Sequence, residues 1–308
     1  MRQRSQKFDS RQNMTRSNYE VFHYNEPPKN DVEVHSHDFY EIFFLINGNI
    51  SYWMEGEVYN PAPGDILLID PMTLHRPIIS KDNKTYERIV IWINKSYLDN
   101  FKENELDLSF CFQKSIESQK KLLHPSSMQK SKLTEKLSSL INEYYSDSYG
   151  SSLYSDSLLL QVMIELNRLV SNNAQKPIRQ HGTSTLVSQI LDYIGKNYRE
   201  EISLDSLAEH FFVSKYHLSH EFSKETGTSL YRYIMLKRLI EAKQLLQQNI
   251  TAGEAAIKCG FNDYSSFFRA FKSEYGISPR EYFESTKTTL DLSQIVILVK
   301  FCRMGNSR

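Results

Sequence analysis

Residues 207–234, LAEHFFVSKYHLSHEFSKETGTSLYRYI, and residues 255–282, AAIKCGFNDYSSFFRAFKSEYGISPREY, are two versions of one pattern. Ala208 matches Ala256 and Val213 matches Phe261 at an offset of 48. Leu218 with Phe267, Phe222 with Phe271, Gly227 with Gly276, Ser229 with Ser278 and Tyr233 with Tyr282 continue it at 49. A repeat at fixed period marks a duplicated supersecondary unit. Each copy reads as a short helix with a small residue inside (204–211; 252–259), a tight turn and a second helix, which is a helix-turn-helix. Ser214 and Asp263 stand where a side-chain oxygen caps the second helix. Leu218 and Phe222 then point inward, as do Phe267 and Phe271. That burial leaves Tyr216, Ser219 and His220 on the outer face of the first copy, and Tyr264, Ser265, Ser266 and Arg269 on that of the second.

Between the copies, residues 230–248 read as one helix of roughly 28 Å at 1.5 Å per residue. Two outer faces held about one DNA turn apart, roughly 34 Å, suit successive major grooves on one side of a duplex. Paired helices also occur in solenoids, but those need more copies to bury their faces. Net charge gives the DNA reading no help, since residues 186–285 carry 12 Lys and Arg against 13 Asp and Glu. Distribution must supply the phosphate contacts, and the candidates are Lys215, Lys224, Arg232, Lys237, Arg238, Lys272 and Arg280.

Across 202–282 these motifs resemble the AraC/XylS family of bacterial transcription regulators. The resemblance implies a C-terminal all-α domain that reads DNA with both second helices, so Tyr216, Ser219, His220, Tyr264, Ser265, Ser266 and Arg269 inherit the base-contact role. His220 stands where the family commonly places Arg. A shorter, mostly neutral ring makes a weaker guanine contact, so the second unit carries the stronger claim.

Upstream, residues 41–46, 50–54, 65–69 and 88–93 are short apolar or alternating runs separated by Asn47-Gly48-Asn49, Glu55-Gly56 and Asn60-Pro61-Ala62-Pro63-Gly64. Closely spaced strands with such turns imply a sandwich or small barrel, placed at 19–94. After Lys95 the period changes. Leu133, Leu137, Leu140, Ile141 and Tyr144 share one helix face, and residues 153–170 carry more apolar side chains than one buried stripe needs. The surplus faces either a partner subunit or a neighbour within the chain, so 95–171 is assigned as a helical segment for dimerisation. Polar residues at 172–185 read as a linker, 186–285 as the DNA-binding domain, 1–18 as a disordered basic tail and 286–308 as an extension of unassigned role. The expected fold class is therefore α+β multidomain, a β-barrel with a helical segment followed by an all-α domain.

His35, His37, Glu41 and Gly48 form H-x-H-x3-E-x6-G, with His75 following the Pro63-Gly64 turn. The spacing resembles that of a cupin barrel. Residues two apart on a strand face one side, so three imidazoles and a carboxylate could hold a divalent metal. The pattern departs from the metal-binding one at Lys29 and in IDPMTLHRPI around His75, and AraC-type sensor barrels often look like cupins without holding metal. The expectation is thus no cofactor, with His35, His37, Glu41, Phe43, Trp53 and His75 lining a pocket for a small polar or sugar-like effector.

The 308 residues suffice for two domains. Apolar residues at 40% and charged residues at 24% are ordinary for a globular chain, and 37 basic against 37 acidic side chains give a formal net charge of zero. Cys111, Cys259 and Cys302 have no metal or disulfide spacing and read as thiols. The run 295–299 is too short for a membrane span and residues 1–16 lack a secretory core, so a cytoplasmic protein is expected. The expected partners are double-stranded DNA, a small-molecule effector, a second copy of the chain and, for an activator, RNA polymerase. Two other readings compete: a metal-dependent cupin enzyme with a helical appendage, which needs bound metal and turnover, and a protein-binding helical module, which predicts no salt-dependent DNA affinity.

Overall fold

The computed structural model describes residues 13–16, 18–25, 32–79, 85–103, 106–118, 120–172, 181–182 and 185–286. The expected basic tail at 1–18 falls mostly outside these, as do most of the linker, Lys29, Cys302 and the extension at 286–308. The chain divides into two compact units, 1–183 and 184–308, so the boundary falls inside the expected linker.

The first unit is rich in sheet. Strands β1 (Tyr19–Asn25), β2 (Tyr40–Asn47), β3 (Ile50–Met54), β4 (Glu57–Tyr59), β5 (Ile66–Ile69), β6 (His75–Ile79) and β7 (Glu87–Ile93) precede helices α1 (Lys95–Asp99) and α2 (Phe110–Ser118). Strand β8 (Leu122–Leu123), helices α3 (Ser127–Tyr144) and α4 (Ser151–Asn172), and strand β9 (His181–Gly182) complete it. One sheet runs β1-β7-β2-β5-β8 and the other β6-β3-β4-β9. The expected runs at 41–46, 50–54, 65–69 and 88–93 became β2, β3, β5 and β7. Strands β8 and β9 arise in stretches expected to be helical and linking, where two-residue pairings leave no periodicity to read.

Strand β2 shows why these runs looked apolar throughout: it is central and covered on both faces. Tyr40, Ile42 and Phe44 pack outward with Phe112, Leu137, Leu140, Leu159, Val162 and Leu166 of the helices. Phe43 and Leu45 face inward with Tyr52, Met54 and Tyr59 of the second sheet. Helices α2, α3 and α4 thus share one core with the sheet and are no separate body. The surplus on α4 is absorbed within the chain, since Leu158, Leu159, Val162, Met163, Leu166 and Leu169 are all buried there. Leu153 stays exposed, and Leu160 and Ile164 stay partly exposed.

The second unit is all helix: α5 (Thr185–Asn197), α6 (Leu204–His210), α7 (Lys215–Thr226), α8 (Leu230–Gln247), α9 (Ala252–Lys258) and α10 (Tyr264–Tyr275). Helix α5 was unassigned from the sequence, although Val187, Ile190, Leu191 and Ile194 recur at helical spacing and are buried. Helices α7 and α10 have identical construction. Ser214 accepts from the His217 backbone N–H and Asp263 from that of Ser266, and the helices end at Gly227 and Gly276 in the left-handed conformation. The step from 48 to 49 between the repeats is one extra residue in the second turn, because four residues separate α6 from α7 and five separate α9 from α10. Cys111 and Cys259 are buried free thiols. Burial pushes both upward, Cys259 to about 12. Among the described residues no helix is long and apolar enough to cross a membrane.

Candidate functional site

Capping aims the outer faces of α7 and α10. With Leu218 and Phe222 fully buried, Tyr216, Ser219, His220, Ser223 and Lys224 line a shallow groove along α7. Four of these five were expected at the DNA. Ser223 is the fifth, on the same face at spacings of three and four from Tyr216 through Ser219 and His220. Tyr216 stacks on His220 at 6.0 Å between ring centres. In the second copy Tyr264, Ser265 and Arg269 are exposed, and Arg269 occupies the helix position of His220 at the offset of 49.

Ser266 is more committed. Its backbone N–H and its hydroxyl both donate to the Asp263 carboxylate, at 2.8 Å each. The first of these bonds is the chief cause holding the Asp263 carboxyl below its ordinary range. Ser266 therefore serves the helix cap first.

Two of the expected phosphate contacts have partners within the unit. The Arg238 guanidinium donates to the Tyr198 and Glu200 carbonyls at 2.7 Å each, tying α8 to the α5–α6 connection. Arg232 donates to the largely buried Glu274 and ties α8 to α10. Lys215 pairs with Asp205, and Lys224 lies 3.7 Å from Glu221, but both lysines stay on the surface. Lys237 lies over the Tyr233 ring and Lys272 over the Phe268 ring. Arg280 is exposed. Within this unit Glu241 pairs with Arg199 and Glu274 with Arg232, while the Glu254 and Asp263 carboxylates are engaged in capping helices.

The interior of the first unit holds a polar island. His35 and His75 oppose each other across an antiparallel bridge, with backbone N–H to carbonyl distances of 3.2 and 3.0 Å. Their rings meet edge to face at 4.3 Å, and the His37 ring stacks on Phe39 at 4.0 Å. Glu41, on the inward face of β2, is met by His37 Nε2 at 3.0 Å and accepts from Trp92 Nε1–H at 3.0 Å and the Tyr52 hydroxyl at 3.4 Å. All three histidines and Glu41 are buried.

Burial lowers His35 to about 4 and His75 well below the imidazole range, so both rings are neutral near pH 7. It also raises the Tyr52 hydroxyl well above its ordinary value. Five of the six expected pocket residues thus share the interior, with Phe43 against the Tyr52 ring at 5.2 Å. Trp53 does not. Alternation along β3 puts Tyr52 and Met54 inside and turns Trp53 to the opposite face, beside Arg76 and Val58.

Two family models cover most of the chain: an AraC-like ligand-binding domain matches residues 18–163 and a helix-turn-helix domain matches 207–285. The transcriptional activator AarP of Providencia stuartii is 38% identical over 100 residues, which are 32% of this chain and 74% of AarP. The chain belongs to the AraC/XylS family of transcription regulators. A fuller relative of this regulator is the transcriptional activator RhaS of Mannheimia succiniciproducens, 27% identical over 80% of this chain and 87% of RhaS. Among solved structures, ToxT of Vibrio cholerae aligns over 87% of this chain and 97% of its own at 16% identity and a TM-score of 0.38. The DNA-binding domain of AdpA, in complex with a target DNA, aligns over 34% of this chain and 96% of its own at 20% identity and a TM-score of 0.33. The regulator therefore joins a ligand-sensing N-terminal domain to a DNA-binding C-terminal domain, and its relatives are regulators rather than enzymes.

Proposed function

We propose that the regulator reads two successive major grooves on one face of duplex DNA, α7 entering one and α10 the next. The observation that carries this is the duplicated helix, twelve residues in each copy with the same cap at each end and an offset of 49. Tyr216, Ser219 and His220 read bases from α7, and Tyr264, Ser265 and Arg269 from α10, with Ser266 holding the cap. Lys215, Lys224, Lys237, Lys272 and Arg280 meet phosphates. Helix α8 is the spacer, about 27 Å long at 1.5 Å per residue. Because His220 and Arg269 occupy one helix position, the longer, permanently charged Arg makes the second unit the stronger reader.

The sensor is a cupin-like barrel that takes a small polar or sugar-like effector against His37, Glu41 and His75. Occupation shifts the population of states in which two chains present their readers. The partly exposed Leu160 and Ile164 and the exposed Leu153 of α4 supply a stripe for the second copy. RhaS and AarP are named as activators, which favours activation, and so contact with RNA polymerase, here.

The test is a footprint of the purified chain on its own upstream DNA at two salt concentrations, followed by a base-substitution panel for R269A and H220A. R269A loses discrimination at particular base pairs by roughly 1–3 kcal/mol, and H220A by less. Uniform loss over the whole panel would make Arg269 a phosphate contact. A chain that protects no discrete site would remove the DNA reading.

A further inference from the structure

The three interior histidines share one feature that the pocket reading leaves unused. Each turns Nδ1 to a nearby backbone carbonyl: His35 to Glu33 at 2.8 Å, His37 to Phe39 at 2.9 Å and His75 to Thr73 at 2.8 Å. A ring nitrogen facing a carbonyl oxygen must carry the proton. In each neutral ring the lone pair is therefore on Nε2. This is the arrangement by which an outer hydrogen bond fixes the tautomer and orientation of a metal-ligating histidine.

Two further observations concern those Nε2 atoms. His75 is fully buried, and its Nε2 has no hydrogen-bond partner among the described residues. An acceptor stripped of water and left unmatched is costly. His37 Nε2 lies 3.0 Å from Glu41 Oε2, so in the neutral ring a lone pair faces a carboxylate oxygen, and a proton or a metal cation shared by the two makes the contact favourable. One donor atom from each of His37, Glu41 and His75 falls within 4.8 Å of the others. Tetrahedral ligands at about 2.0–2.2 Å from a common ion lie about 3.3–3.6 Å apart, so a pair at the outer limit has to close by roughly 1.2–1.5 Å, within the reach of side-chain rotation. Trp92 Nε1–H already holds that same Glu41 Oε2 and the Tyr52 hydroxyl holds Oε1, which fixes the carboxylate's orientation.

We infer that His37, Glu41 and His75 form a buried site for a single divalent transition ion, with His35 bracing His75 from across the strand bridge. Two imidazoles and one carboxylate select a borderline ion such as zinc, cobalt or nickel over magnesium or calcium, which prefer all-oxygen shells. Three protein ligands leave open a position that an oxygen-bearing effector can take. This deepens the sensor half of the proposed function and is independent of the DNA contacts, so a metal-free result would leave the footprint standing. The sequence argued against the site through what stands at Lys29 and around His75. The tautomers and the 4.8 Å grouping, which depend on the folded backbone, argue for it.

The test uses the full chain, stripped with a chelator and dialysed against zinc or cobalt, with the bound ion counted by mass spectrometry. The expected result is a single ion per chain, a cobalt absorption band in the visible and a raised melting temperature for the first unit. E41Q and H75Q weaken binding at least about 100-fold, and W92F weakens it roughly 10- to 100-fold by releasing the carboxylate without removing a ligand. Because the ligand variants can also disturb folding, X-ray absorption of the zinc-loaded native chain provides a second reading, in which two imidazoles surround the ion. No retained ion, an ion whose affinity E41Q and W92F leave unchanged, or an absorption spectrum without imidazole overturns the proposal.

Discussion

Reciprocal substitutions in the two turns test how far the repeat is a repeat in energy as well as shape. Phe212 and Gly260 are equivalent at the offset of 48, and both adopt left-handed backbone, with φ of 55° and 79°. In the second turn a Cβ at Gly260 would lie 2.1 Å from the Arg199 carbonyl oxygen. That carbonyl cannot retreat easily. Its neighbours Tyr198 and Glu200 are held by Arg238, and the Arg199 side chain is held by Glu241 at 2.9 Å.

G260A therefore carries the left-handed penalty of roughly 1–2 kcal/mol and an overpacking cost of roughly 1–3 kcal/mol. The expected loss is about 2–5 kcal/mol. F212G runs the other way. Phe212 is 95% exposed, so removing its ring sacrifices little burial. Relief of about 1–2 kcal/mol of strain is partly offset by the roughly 0.5–1 kcal/mol of added unfolded-chain freedom of glycine. The net gain is about 0.5–1 kcal/mol. Urea unfolding of the full chain by circular dichroism, with the transition of the second unit fitted separately, reads both values. A G260A variant within about 0.5 kcal/mol of the parent, or a destabilised F212G, would refute the shared-turn argument.

The two classes of arginine and lysine on the second unit separate in a salt titration. R238A removes two charge-assisted bonds to carbonyls and costs about 1–3 kcal/mol of stability with no change in the salt slope of DNA binding. K272A leaves stability unchanged and lowers the slope by about 0.9; the opposite assignment of slopes would return Arg238 to the phosphates. A third prediction concerns Asp70, whose carboxyl burial raises from 3.8 to about 6. The folded form favours the protonated acid, so the cost is absent below pH 4, grows between 4 and 6, and reaches about 3 kcal/mol above that. D70N should then be more stable than the parent at pH 7 and equal to it near pH 4, as read by urea unfolding at both values; a pH-independent difference would contradict it.

Much of the regulator was legible in its sequence because the governing interactions are short in range. A cap is set by residues three apart, a helix face by residues three and four apart, and a strand face by residues two apart. Hence Ser214, Asp263, Gly227, Gly276, Leu218, Phe222, Phe267 and Phe271 could be placed before any coordinates, and with them the duplicated reader. The histidine and glutamate spacing likewise brought His35, His37, Glu41 and His75 to attention.

Tertiary structure decided what each of these groups is paired with. Arg232 and Arg238 look like phosphate ligands in the sequence, but their partners Glu274, Tyr198 and Glu200 lie about 40 residues away and become neighbours only when α8 packs. Trp53 left the expected pocket because β3 turns Tyr52 and Met54 inward, and α4 lost most of its surplus apolar face to α3 and the sheet. The interior cluster follows the same rule. Spacing could nominate the ligating residues, but the carbonyls of Glu33, Phe39 and Thr73 settle which nitrogen bears the proton, and the β2, β6 and β7 pairings settle which donors converge.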